Sequence, residues 1–180
     1  MLRIIIPDVE LWDEGEQLFI LKKGQNIQLE HSLVSISKWE SKWNKAFLGK
    51  KEKTFDETID YIKCMTITQN VRQEVYDNLT YKNIEEINKY ITAPMTATYF
   101  AEDKSTMNNS ETVTAELIYY WMIALNVPFE CQKWHLNRLL ALINVCNMKS
   151  QPQKKRSSKE IMARNAKLNE ERRKRLNTSG

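Results

Sequence analysis

Two stretches decide the fold: Thr114-Ala-Glu-Leu-Ile-Tyr-Tyr-Trp-Met-Ile-Ala-Leu125 and Lys133-Trp-His-Leu-Asn-Arg-Leu-Leu-Ala-Leu-Ile-Asn-Val-Cys146. In the first, Leu117, Trp121 and Leu125 recur at i, i+4 and i+8, with Ile118 and Met122 beside them. In the second, Leu136, Leu139, Leu140 and Ile143 form an i, i+3, i+4, i+7 stripe. The spacing predicts two helices joined by a short turn at Asn126-Val127-Pro128, a helical hairpin that serves as a core and carries no catalytic signature.

Outward from this hairpin the chain divides into three. Residues 1–31 read as strands. Leu2 to Ile6 is a β-branched run closed by Pro7, Val9 to Trp12 and Gln17 to Leu21 flank a turn at Asp13-Glu-Gly-Glu16, and Ile27-Gln-Leu-Glu30 alternates apolar with polar. So small a sheet is stable only against helices. Residues 32–148 change to helical period. Leu33, Ile36 and Trp43 place a helix over much of 33–47, for which Ser37-Lys-Trp-Glu40 has the form of a capping box. Thr54-Phe-Asp-Glu57 is a second box, opening a helix with Ile59 and Ile62 inward. Short helices are expected over 71–79 and 84–91, and Glu102 to Glu111 is expected to be a surface loop. Residues 149–180 are a linker and a charged helix, Ile161 to Leu176, opened by Ser157-Ser-Lys-Glu160. The predicted class is α+β, mainly α, with a small N-terminal antiparallel sheet packed on a helical domain and a basic C-terminal helical extension.

The formal charge of +4 over 180 residues hides an asymmetry. Residues 153–180 hold ten Lys and Arg against three Glu, a net of +7, so residues 1–152 carry −3. An acidic body bears a basic tail, and the tail is where a charged partner is expected to act. Its candidate contacts are Lys154, Lys155, Arg156, Arg164, Lys167, Arg172, Arg173, Lys174 and Arg175. These could neutralise phosphates, as a nucleic-acid-binding accessory protein does, or dock on an acidic or amphipathic protein. Residues 149–180 contain no aromatic side chain to stack on bases, which favours the protein partner.

Composition argues against catalysis. Four glycines, at 15, 24, 49 and 180, cannot build a phosphate-cradling loop. Glu30, His31 and Ser32 resemble a triad only in composition, because adjacent residues do not converge on one atom; Ser32 reads instead as a helix N-cap after a strand. His135 reads as a hydrogen-bonded packing residue. Cys64, Cys131 and Cys146 lack disulfide or zinc spacing, and Cys131 with His135 would need two further ligands to hold a metal. Neither metal nor cofactor is expected. No apolar run reaches the roughly 20 residues that cross a bilayer, and Met1 to Pro7 lacks the form of a signal peptide, so no membrane contact and an intracellular location are expected.

Leu29-Glu-His-Ser-Leu-Val-Ser-Ile-Ser-Lys-Trp-Glu-Ser-Lys-Trp43 resembles a family encoded by tailed bacteriophages of Gram-positive hosts. The likeness continues through Glu57-Thr-Ile-Asp-Tyr-Ile-Lys-Cys-Met-Thr66, Ala93-Pro-Met-Thr-Ala-Thr98, Pro128-Phe-Glu-Cys-Gln-Lys-Trp-His-Leu-Asn-Arg-Leu-Leu140 and Lys159-Glu-Ile-Met-Ala-Arg-Asn-Ala166. The resemblance implies a tail-morphogenesis product without catalytic residues, in the role of a tail assembly chaperone. Such a chaperone binds the long helical tape-measure protein in the host cytoplasm until tube subunits polymerise around it. A minor structural protein of the virion is the alternative. If the chain is a chaperone, Trp39, Trp43 and the outward face of 113–147 are expected to border a client groove. Core packing is the other reading of the two tryptophans. Exposed tryptophans, or a tail that packs on a neighbour, would favour self-association.

Overall fold

The computed structural model describes residues 1–15, 17–99, 112–150 and 158–176. The loop expected at 102–111, the linker at 151–153, the cap at Ser157 and the basic triplet Lys154 to Arg156 lie outside them. The described chain is α+β and mainly helical, with strands confined to the N-terminus. Residues Met1–Met148 form one compact unit, strands and helices together, and Lys149–Gly180 form a second.

The strands make one long, interrupted hairpin. β1 (Leu2–Ile6) pairs antiparallel with β4 (Gln25–Leu29), Ile4 opposite Ile27, and β2 (Val9–Asp13) pairs with β3 (Leu18–Lys22), Leu11 opposite Ile20. Two separate two-stranded sheets result, where the sequence suggested one sheet. Pro7, which cannot donate to a ladder, helps to end the first pair. At the break the two connections touch. A Cβ on Gly24 would lie 1.9 Å from the Ile6 carbonyl oxygen, so only glycine fits, and its amide donates to Asp8 Oδ1 at 2.6 Å. The inner pair alternates as a half-buried sheet must: Ile4, Ile6, Ile27 and Leu29 are buried and Ile5 points out.

The chain then enters α1 (Leu33–Trp43), on which the unit is assembled. Its cap is Ser32, whose side chain accepts from the Ser35 amide while the Ser35 hydroxyl accepts from the Ser32 amide. The box expected at Ser37–Glu40 therefore falls inside the helix, because the serine five residues earlier already has the extended backbone an N-cap needs. The helix ends at Asn44, in the left-handed region at φ 51°. Leu33, Ile36 and Trp39 are buried against α2 (Phe55–Met65) and α5 (Ala115–Ala124). α2 opens with the Thr54/Glu57 box that the sequence predicts. α3 (Gln73–Asp77) is shorter than expected, and α4 (Tyr81–Thr92), capped by Thr80, packs on β1.

The predicted helical hairpin is not a closed pair. α5 leaves through Asn126, at φ 53°, into a 3₁₀ turn at Phe129–Lys133, and α6 (Leu136–Ser150) starts three residues beyond it. At backbone level α5 approaches α1 rather than α6. Its fully buried stripe is Ala115, Ile118 and Met122, while Leu117, Trp121 and Leu125 are only half-buried.

Two histidines lock the unit. The chain around His135 lies against the end of the sheet: Leu136 N donates to the His31 carbonyl at 2.7 Å, and Ser32 bridges His135. His31 and His135 are 2% and 6% exposed, with rings 5.1 Å apart. His31 Nδ1 is 2.5 Å from the Tyr61 hydroxyl, and His135 Nε2 is 3.0 Å from the Tyr90 carbonyl. The Tyr90 hydroxyl donates to Glu30 at 2.6 Å. Burial, and then the neighbouring His135, push the His31 imidazole down from 6.5 to about 4; burial also lowers His135.

The sign of the pH dependence follows. Between pH 6.5 and about 4 the unfolded chain binds a proton that folded His31 does not, so its contribution is full above pH 6.5 and is lost as the pH falls toward 4. Urea denaturation at pH 7 and pH 4.5 is expected to show a loss on the order of 3 kcal/mol from this residue. His31→Gln should be less stable at pH 7 and show a smaller difference between the two conditions. An undiminished difference would mean that other groups carry it.

Candidate partner-binding surfaces

Because α5 leans on α1, a gap opens between it and α6. The loop that follows α1 closes one end, leaving an open groove of about 1210 Å³. Trp121, Ala124 and Leu125 of α5 form one wall and Leu140, Ile143 and Asn144 of α6 the other. Leu48 stands in the loop, 41% exposed. The volume exceeds the ~300–1,000 Å³ typical of small-molecule pockets and the groove is partly open to solvent, which suits a polypeptide segment.

Glu40 sets the shape. Its carboxylate, 7% exposed, accepts the Phe47 amide at one oxygen and the Ala115 amide at the other, both at 2.7 Å. One side chain thus holds the loop and the start of α5 on α1. Sequence reasoning missed this role, since Glu40 looked like part of a capping box and the only local signal was an acid on an apolar helix face.

Basic side chains surround the loop end. Lys45, Lys50, Lys51 and Lys53 line it against Glu52 and Glu57. Lys45 pairs with Glu57, whose carboxyl is held below its ordinary value by that hydrogen bond and then by the Thr54 amide. Lys53 Nζ lies 4.2 Å from the Phe47 ring centroid, and burial lowers its pKa. Lys50 and Lys51 are exposed.

The two tryptophans separate by role. Trp39, 1% exposed, donates Nε1 to the Glu57 carbonyl at 2.8 Å and meets the groove only at its floor. Trp43 stacks on it at 6.2 Å between centroids and donates to Asp60 Oδ2 at 2.9 Å, facing a different cleft with Phe55 and Ile59. Burial alone would raise the Asp60 carboxyl, but the hydrogen bonds from Lys42 and Trp43 outweigh it and bring it below its ordinary value. Both indoles therefore join α1 to α2, and the two rings do not line one groove.

The second unit contains α7 (Ser158–Leu176). Arg164, Lys167, Arg172, Arg173, Lys174 and Arg175 all lie on it, and every side chain described there, from residue 162 to 176, is exposed. Lys174 pairs with Glu170 at 2.7 Å, one of the i, i+4 pairs legible in the sequence. That exposed pair contributes about 0.3–0.5 kcal/mol.

Among the described residues no three His, Cys, Asp or Glu side chains are placed to share a metal ion, and no helix is long and apolar enough to cross a membrane. Comparison with protein-family models, with curated proteins and with solved structures finds no match to this chain.

Glu40→Ala would leave two buried amides without an acceptor. It is expected to cost about 3 kcal/mol in urea denaturation. Glu40→Gln, which keeps one acceptor oxygen, should cost less; equal stability of all three proteins would show that Glu40 does not hold the loop and α5.

Proposed function

We propose that this chain is a non-enzymatic assembly protein of tailed bacteriophages of Gram-positive hosts, a tail assembly chaperone that binds the tape-measure protein in the host cytoplasm through α7. The observation that carries the proposal is the exposed basic helix. Nineteen residues of α-helix extend about 28 Å and carry seven Lys and Arg against three Glu. Its large apolar side chains whose placement is described, Met162, Leu168 and Leu176, are 71%, 40% and 64% exposed. A helix of this kind has too thin an apolar stripe for a core and gains most from a partner that supplies acidic and apolar contacts together.

The likeness between Leu29–Trp43, Glu57–Thr66 and Pro128–Leu140 and the tail-morphogenesis family supplies the identity of the client. The absence of aromatic side chains from residues 149–180 keeps nucleic acid as the second partner class.

The test is affinity capture with the full chain and with a chain ending at Met148, from cells making the neighbouring phage proteins, with nuclease throughout. The full chain is expected to recover a long helical protein and the truncated chain to lose it. Converting Arg172, Arg173, Lys174 and Arg175 to Glu should weaken capture at least tenfold at low salt. Unchanged affinity removes α7 from the interface, and salt-sensitive recovery of nucleic acid alone, without nuclease, replaces the protein client. Presence of the chain in purified mature particles would identify a virion component in place of a chaperone.

A further inference from the structure

The outer hairpin, β2 with β3, is apolar on both faces and, among the described residues, covered on neither. The register places Trp12 opposite Phe19 and Glu10 opposite Leu21 on one face, with Leu11 opposite Ile20 and Asp13 opposite Leu18 on the other. Leu18-Phe-Ile-Leu21 is a continuous apolar run, the pattern of a strand buried on both sides. Here the exposures are 46%, 68%, 42% and 50%, and Leu11 and Trp12 are 44% and 52% exposed. Among the described residues β2 and β3 pack substantially, at backbone level, only on each other. Within the ribbon, Trp12 and Phe19 meet edge to face at 4.9 Å. The six side chains present on the order of 500 Å² of apolar surface. Summed over both faces, that exceeds half of the ~800 Å² that each partner gives to a stable interface.

We infer that this hairpin inserts into the groove between α5 and α6 of a second copy of the chain. Charge selects that occupant. Glu10 and Asp13 on β2 and Glu14 just beyond it stand with no base among residues 9–15, so two hairpins meeting each other through this strand would oppose like charges. The groove offers the complement: Lys45 and Glu57 pair with each other, and Lys50, Lys51 and Lys53 remain against Glu52 alone, with Lys50 and Lys51 exposed. Shape agrees, since five-residue strands are about 17 Å long and the groove is open and polypeptide-sized. The groove walls supply apolar contact through Trp121, Leu125, Leu140 and Ile143, and the Asn144 and Asn147 amides can meet the unpaired backbone of an edge strand. The groove expected to serve a client thus serves the chain itself. A hairpin in a neighbour's groove either closes as a reciprocal dimer, each chain filling the other's groove, or propagates head to tail into rings or filaments.

The arrangement is tested by sedimentation of the full chain with two variants. Glu10→Lys with Glu14→Lys alters the hairpin and leaves its apolar pair intact; Leu48→Glu with Lys51→Glu alters the groove. Wild type is expected to sediment as a dimer or a larger species, and each variant alone as a monomer. An equimolar mixture of the groove variant with Trp12→Ser/Phe19→Ser, whose altered hairpin keeps its acids and so does not pair with the added glutamates, should form a dimer and nothing larger, because only one intact hairpin and one intact groove remain per pair. Trp12→Ser with Phe19→Ser is the charge-neutral companion, with far-UV circular dichroism confirming that each variant folds. A wild-type monomer at about 100 µM, well above the micromolar range of such interfaces, would overturn the inference. Undiminished assembly of the groove variant would overturn it too, as would undiminished assembly of both hairpin variants. All variants keep α7, so client capture and self-assembly are read separately.

Discussion

The buried contact between the end of the sheet and the start of α6 is the constraint on which the rest of the first unit depends. There the Leu136 amide donates to the His31 carbonyl, and the two imidazoles lie ring to ring with water excluded. Within four residues, Leu29 to Ser32, the chain closes β4, bridges Thr66, bridges His135 and caps α1. Tyr61 from α2 and Tyr90 from α4 converge on the same place. Such a polar cluster is costly unless each member has a partner. Among the described residues no buried side-chain polar atom lacks one. The histidines fit here as neutral, hydrogen-bonded rings, which is a structural role.

From that anchor the groove follows. α1 leaves the cap in a fixed direction, and its two tryptophans and Lys42 are committed to α2 through Glu57 and Asp60. Glu40, on the same helix, draws the loop and the start of α5 inward. α6 is held at its beginning by the histidine contact rather than by α5. Two helices fixed at different points of one scaffold need not close on each other, and the space between them is the groove.

The acidic hairpin and the basic α7 extend the same logic outward. In each, the local pattern specifies a regular element that its own fold leaves exposed: a ribbon apolar on both faces, and a helix with cations all around it. The energetic demand of the first is apolar cover and of the second is opposite charge, so the two elements suit different partners.

Much was legible in the residues themselves. The strands, the Thr54/Glu57 cap, the helical period of 33–43 and of 115–146, and the asymmetry of charge depend on neighbours within a few positions, and local sterics and hydrogen bonding settle them. The cap of α1 shows the limit, since the sequence offers both Ser32, which the structure uses, and the box at Ser37–Glu40, which it does not. Two serine-containing motifs compete within six residues, and the winner is the one whose backbone is extended by its continuation from β4. Tertiary structure alone decided that Trp39 is floor rather than rim, that the predicted helical hairpin stands open, and that Leu18 to Leu21 faces solvent. Period and propensity tell which side chains want to be covered. Whether anything covers them depends on elements far away in the chain, here Glu40 holding the start of α5 and the loop after α1 while Leu136 ties α6 to His31.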